Sequence, residues 1–179
     1  MDSTVNAYGT KNETFPDSSA YFFVKGEFLR KGVSLKEIAE EAYEGQKRFN
    51  PQLKVDEFEE AIEKILHKRE VLNACMVGLN LDNLATQQLL SSPLQDVVQE
   101  DNHAFGIDEE LAISICGLYG SVAITQYGYL DLKKTGLASK LDNNANGEVN
   151  TFIDDLVSAL VACTEAKVMH HNAGTPLED

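Results

Sequence analysis

Residues 109–130, EELAISICGLYGSVAITQYGYL, constrain the fold of this chain more than any other stretch. After the two glutamates, apolar side chains fall on nearly every side of a helix drawn through the segment. A helix with so few polar positions has no face to give to water and belongs at the centre of a bundle. The spacing predicts that it starts at Asp108 and that Gly117 and Gly120 lie inside it. Each glycine costs about 1 kcal/mol relative to alanine in such a place. Close backbone approach is therefore expected at both, by another helix or by a ligand.

Other segments supply the surrounding helices. In SLKEIAEEAYEGQKRF, Ser34 and Glu37 have the spacing of a capping box, and Leu35, Ile38, Ala39, Ala42, Tyr43 and Phe49 recur at helical intervals. NPQL breaks that helix. Asp56 and Glu59 open a longer one running towards Val77, and another is expected around 81–90, before Ser92 and Pro93 begin a short segment. DLKKTGLASKL makes a short turn, a polar loop follows, and a last helix spans about 151 to 170. No alternating strand pattern of useful length occurs. The expected fold is an all-α, single-domain multihelical bundle of about six helices with the Asp108 helix in its middle. Residues 1–20 lack periodicity and are rich in Ser, Thr, Asn and Asp, so they read as a flexible arm. The helical domain then covers 21–171, and 172–179 form a tail.

At 179 residues the chain suits one domain. Its net charge of −14 argues against a nucleic-acid partner, because no basic cluster offsets the repulsion from a phosphodiester backbone. No stretch approaches the ~18 consecutive apolar residues that cross a bilayer, and the polar start MDSTVNAYGTKNETFPDSS is not a secretory signal. Cys75, Cys116 and Cys163 are scattered in apolar runs, as expected of reduced core thiols in a cytoplasmic protein. An anionic substrate would need local positive charge, and a bound metal is the obvious source.

The last helix opens with two adjacent acids, Asp154 and Asp155, after a loop that carries Asp142 and Glu148. Thr151 and Asp154 fit a capping box, and the helix dipole favours carboxylates in a first turn by about 0.3–1 kcal/mol each. Against simple capping stands the setting, since Phe152, Ile153, Leu156 and Val157 crowd around the pair. Successive side chains diverge by about 100°, so at least one carboxylate leans towards apolar neighbours and needs a partner or a cation. Asp142, Asn144, Asn146 and Gly147 imitate the start of an EF-hand loop, but Ile153 stands where the bidentate Glu belongs. The loop reads better as an Asx-rich turn. Phosphate handled in this half of the chain would fall to Lys133, Lys134, Lys140 and a metal, because Arg30, Arg48 and Arg69 all lie within the first 70 residues. His170 and His171 sit where they compensate the helix dipole. No Walker loop, nucleophile elbow or cysteine-phosphatase loop is present.

GLYGS at 117–121, followed by KLDNNANGEVNTFIDD at 140–155 and a helix of small residues, resembles the phosphatidylglycerophosphatase A family. LDNLA (81–85), YGYLD (127–131) and TFIDDLV (151–157) are similar to its soluble Firmicute branch, which includes the low temperature requirement C proteins. The resemblance covers roughly 70–170. It implies a Mg²⁺-dependent phosphatase that converts phosphatidylglycerophosphate to phosphatidylglycerol. By position, Asp154 and Asp155 take the place of the family's Asp-Glu pair as metal ligands and catalytic groups, with the shorter Asp a departure. Asp142 or Glu148 would be the upstream acid, Asp82 or Asp131 would complete the metal shell, and Lys140 would neutralise remaining charge. Gly117, Gly120 and Ser121 would bind substrate. The resemblance places the protein in the cytoplasm or peripherally on the inner membrane face, meeting a phospholipid substrate there through the aromatic stretch 20–32 if that stretch does not simply pack on the bundle. A homodimer stays open. The competing reading is a non-catalytic helical interaction or stress protein that keeps the fold, and a further alternative is calcium sensing through 142–154.

Overall fold

The computed structural model describes residues 17–102, 104–142 and 147–172, and among them every regular element is a helix. In chain order these are α1 (Asp17–Arg30), α2 (Leu35–Gln46), α3 (Val55–Leu66), α4 (Arg69–Thr86), α5 (Leu94–Gln99), α6 (Ile107–Gly117), α7 (Ser121–Lys133), α8 (Gly136–Asp142) and α9 (Ile153–Asn172). Of the expected arm and tail, Asp17–Ala20 begin α1 and Asn172 ends α9. The rest of both lies outside the described residues, as do Asn144 and Asn146 of the EF-hand-like loop.

The all-helical class holds, with nine helices among the described residues where about six were expected. The helix predicted from Asp56 towards Val77 is two, α3 and α4, separated at His67 and Lys68, and the segment expected at 81–90 is the end of α4. The 109–130 segment is also two helices. Gly120 adopts φ 85° and ψ −175°, a conformation essentially reserved for glycine, and α7 folds back on α6 as a hairpin.

The central helix is α9, not the Asp108 helix. Every residue from Thr151 to Ala166 is buried, and α2, α3, α4, α6, α7 and α8 all pack on α9. α7 buries only Ala123 and Tyr127. The reversal has a physical cause. Polar side chains on α9 find partners inside the bundle: Thr164 Oγ1 donates to the Leu160 carbonyl at 2.7 Å, and Glu165 accepts from the Gln46 amide. Satisfied in this way, polar groups can be buried, so the polar positions of α9 do not mark a solvent face.

The remaining helices close the core. α1 packs on α4 and buries Ala20, Val24 and Phe28, a stripe at four-residue spacing that seats the 20–32 segment on the bundle. The Ser34–Glu37 capping box is present as read. Gly78 in α4 faces α9 so closely that a methyl group there would lie 2.9 Å from Leu156 Cδ1 and 3.0 Å from Phe152 Cβ. Gly78→Ala is expected to cost about 1–3 kcal/mol by overpacking, read as a lowered denaturation midpoint. An unchanged midpoint would mean that α4 and α9 are not held this close. The three cysteines are free and buried. No described helix is long and apolar enough to cross a membrane.

Candidate functional site

Three helix ends converge at one place on the surface. Asp108 and Glu109 lie in the first turn of α6, Asp154 and Asp155 in the first turn of α9, and Asp131 in the last turn of α7, with Lys134 just beyond it. Together with Asp101, Leu132 and Thr151 they line a cavity of about 290 Å³. Two of the ends are helix N-termini, whose unpaired N–H groups favour negative charge. That lets α6 and α9 each open with adjacent acids. Lys134 stands at the opposite kind of end, where a cation is favoured.

One oxygen from each of Asp108, Glu109 and Asp155 lies within 4.8 Å of the other two. Asp108 Oδ1 and Glu109 Oε2 are buried without a hydrogen-bond partner among the described residues, and so is Tyr127 Oη, which sits in the field of Asp155. Leaving such atoms unpaired costs about 1–3 kcal/mol each. The cluster is short of protons, donors or a cation.

The electrostatics agree with that deficit. Burial, then the charges of Asp154, Asp131 and Asp108, push the Asp155 carboxyl up to about 9. Burial raises Asp154 to about 6, against the pull of Lys134. Asp108 is likewise raised, by burial and by Glu109. Burial works against the Lys134 charge, but Asp154 at 3.1 Å and Asp142 at 3.7 Å outweigh it and keep the amine protonated. Six acids line the cavity with one cation, an excess of negative charge that Lys134 alone does not neutralise.

Of the residues singled out in the sequence, Asp131, Asp154 and Asp155 come together here. Asp142 is linked to them through Lys134, and it lines a neighbouring cavity of about 320 Å³ with Glu148. Glu148 itself is engaged by Arg30 at 2.6 Å and lies 3.8 Å from the Lys31 amine. Asp82 is fully buried away from the cavity, and its two oxygens accept from the backbone N–H groups of Phe152 and Ile153 at 3.1 and 3.0 Å. It therefore caps α9 from α4, in place of the Thr151–Asp154 box. Thr151 instead donates to the Val98 carbonyl. Lys140 is directed elsewhere, donating to the Gly32 carbonyl at 2.8 Å and pairing with Glu37 at 3.5 Å. The cation at the pocket is Lys134.

The glycine element is also remote from the acids. Ser121 and Asp131 lie at opposite ends of α7, about 15 Å apart at 1.5 Å per residue. Ser121 lines a separate cavity of about 310 Å³ with Gln46, Gln126 and Glu165. A Cβ at Gly117 or Gly120 would meet nothing within 4 Å, so neither glycine is explained by close packing within the monomer. Gly120 is required by its backbone angles alone. The residues missed in the sequence are Asp108, Glu109, Tyr127 and Asp101. The signal for the first two was present, since α6, like α9, is an apolar helix that opens on consecutive acids.

The fold and the pocket define a class: an all-α bundle whose central helix, buried through Ala166, begins in a carboxylate-lined cavity. The model of the family described as phosphatidylglycerophosphatase A matches residues 46–170, and the chain belongs to that family. It is 38% identical over 161 residues to the uncharacterized protein YutG of Bacillus subtilis, covering 90% of this chain and 96% of that protein. It is 41% identical over 141 residues to YpjQ of the same organism, covering 79% of each. Among solved structures, that of YpjQ aligns with a TM-score of 0.83 at 36% identity over 89% of this chain and 98% of the other. The low temperature requirement C protein of Listeria monocytogenes aligns with a TM-score of 0.83 at 35% identity, over 88% and 99%.

Proposed function

We propose that the protein is a Mg²⁺-dependent phosphatase that hydrolyses the phosphate monoester of phosphatidylglycerophosphate to phosphatidylglycerol, a step of phospholipid biosynthesis. It acts from the cytoplasm, at the inner face of the membrane that holds its substrate. Family membership supports the reaction class. The observation that carries the reading to this chain is the convergence of Asp108, Glu109 and Asp155, with Asp108 Oδ1 and Glu109 Oε2 buried and without a donor among the described residues.

The residues fit the metal. The donors are all carboxylate oxygens, which Mg²⁺ prefers, and the cavity leaves room for the waters it retains. Asp108, Glu109 and Asp155 would hold the ion, with Asp131 and Asp154 at its margin. Bound there, Mg²⁺ supplies positive charge for phosphoryl oxygens and makes a coordinated water more acidic. The side chains do the rest. Lys134, fixed between Asp154 and Asp142, presents a permanent cation to an incoming phosphate. Tyr127 offers a hydroxyl that burial and Asp155 keep protonated, and which is therefore a donor at working pH. The deep setting of Asp154 and Asp155, 4% and 5% exposed, keeps bulk water off their oxygens.

Phosphate release from phosphatidylglycerophosphate, measured with Mg²⁺ and again with EDTA, is the test. Release with Mg²⁺ and none with EDTA is expected. A folded protein that binds Mg²⁺ yet releases no phosphate from this lipid would end the reading and leave a non-catalytic helical protein of the same fold.

A further inference from the structure

The outer side of the α6–α7 hairpin is unlike the rest of the surface. From Leu111 to Leu130 the chain has no Asp, Glu, Lys, Arg or His, although 25% of all residues are charged. Ile113, Leu118, Val122, Ile124, Tyr129 and Leu132 are exposed there, Leu132 at 81%. Because α6 and α7 lie side by side on α9, their outward residues share one face. Phe22 and Leu29, by contrast, stand exposed among Lys25, Glu27 and Arg30.

Two features of the face concern what covers it. Gly117 and Gly128 have open space where a Cβ would sit, so the roughly 1 kcal/mol that a helical glycine costs relative to alanine has no return within the monomer. Low points of this kind let a second backbone come close. The apolar side chains with the small residues between them also present an area on the order of the ~800 Å² per partner that a specific dimer buries.

We propose that this face joins two copies of the chain in an isologous dimer. Charge selects that occupant. Two bodies of net charge −14 repel through their other faces, whereas Leu111 to Leu130 bring no carboxylate of their own to the contact. A bilayer with an anionic leaflet attracts basic segments, and between Leu111 and Leu130 there is none. Leu132, at the end of the face, also lines the carboxylate cavity, so the contact is centred on Ile113, Leu118, Val122 and Ile124, none of which lines that cavity.

Sedimentation velocity at micromolar concentrations tests the proposal on the full chain, alongside Val122→Glu, Ile113→Glu and the control Phe22→Glu. The unmodified protein and Phe22→Glu should sediment as dimers. Both hairpin variants should sediment as monomers with unchanged helical circular dichroism, since their side chains are exposed. Raising the salt should tighten the dimer by screening the repulsion. A monomeric unmodified protein overturns the proposal, and so does a dimer that survives both hairpin substitutions. A monomer that co-sediments with phosphatidylglycerol vesicles and loses this with Val122→Glu assigns the face to a bilayer and equally overturns it.

Discussion

Asp155→Asn is expected to lower phosphate release by at least about a hundredfold while raising the melting temperature of the metal-free protein. The first effect follows from losing one charged oxygen donor of a site that supplies several kcal/mol of transition-state stabilisation, at about 1.4 kcal/mol per tenfold in rate. The second follows from the raised carboxyl. In the folded state Asp155 titrates near 9, far above an ordinary aspartate. Its protonated form fits the metal-free fold, so stability is full at low pH and is lost as pH rises towards and through 9. Asp154 and Asp108, raised by the same burial, add to the slope in the same direction. Asparagine removes the largest contribution, and a gain of about 1 kcal/mol moves the midpoint of a chain this size by about 2–4 °C. Calorimetry at pH 5 and pH 8, with EDTA and with Mg²⁺, reads all of this. The unmodified protein should melt lower at pH 8 than at pH 5 in EDTA, and Mg²⁺ should recover most of the difference. A variant with the parent's pH slope would show that Asp155 carries no excess charge.

Asp82→Ala should be the most destabilising of the acid substitutions. It leaves the N–H groups of Phe152 and Ile153 buried and unbonded, at about 1–3 kcal/mol each. It also removes the opposing charge that acts most strongly on Lys31, whose side chain is fully buried. Burial pushes Asp82 itself up to about 7, and losing the carboxyl relieves that strain. The two orphaned donors outweigh it. A fall of roughly ten degrees in melting temperature is expected, with Asp82→Asn intermediate because its amide oxygen still accepts one bond. The comparison separates capping from ligation. If Asp82 held metal instead, Asp82→Asn would lower Mg²⁺ affinity and leave the metal-free melting temperature unchanged.

How far the sequence discloses this site depends on the range of the interaction that makes it. The Ser34–Glu37 box is local and is read directly. Asp154 and Asp155 stand out because consecutive acids at the head of an apolar helix have no solvent face to share. The same pattern at Asp108 and Glu109 passes unnoticed while Gly120 is taken for the interior of one long helix. Once the chain reverses at Gly120, α6 and α7 become a hairpin whose far end carries Asp131 and Lys134 back to Asp108. Lys134 and Lys140 are alike in sequence, and only the path of the chain decides which amine reaches the acids. Asp82 lies in another helix from the backbone it caps, and hydrophobic periodicity carries no trace of such a pairing. The exchange of roles between the Asp108 helix and α9 has one cause: periodicity reports where apolar residues are, not whether polar ones have partners.

Because α9 follows in the chain all six helices that pack on it, those helices leave the ribosome before the rod around which they assemble has been made. Until Thr151 and the residues after it emerge, the apolar faces of α2, α3, α4, α6, α7 and α8 have no common surface to close on. Synthesis therefore yields an incomplete shell first, with its greasy inner wall open to other chains. Cooperative closure waits for one late insertion. Premature termination within α9 would then abolish the whole fold and not just its last part.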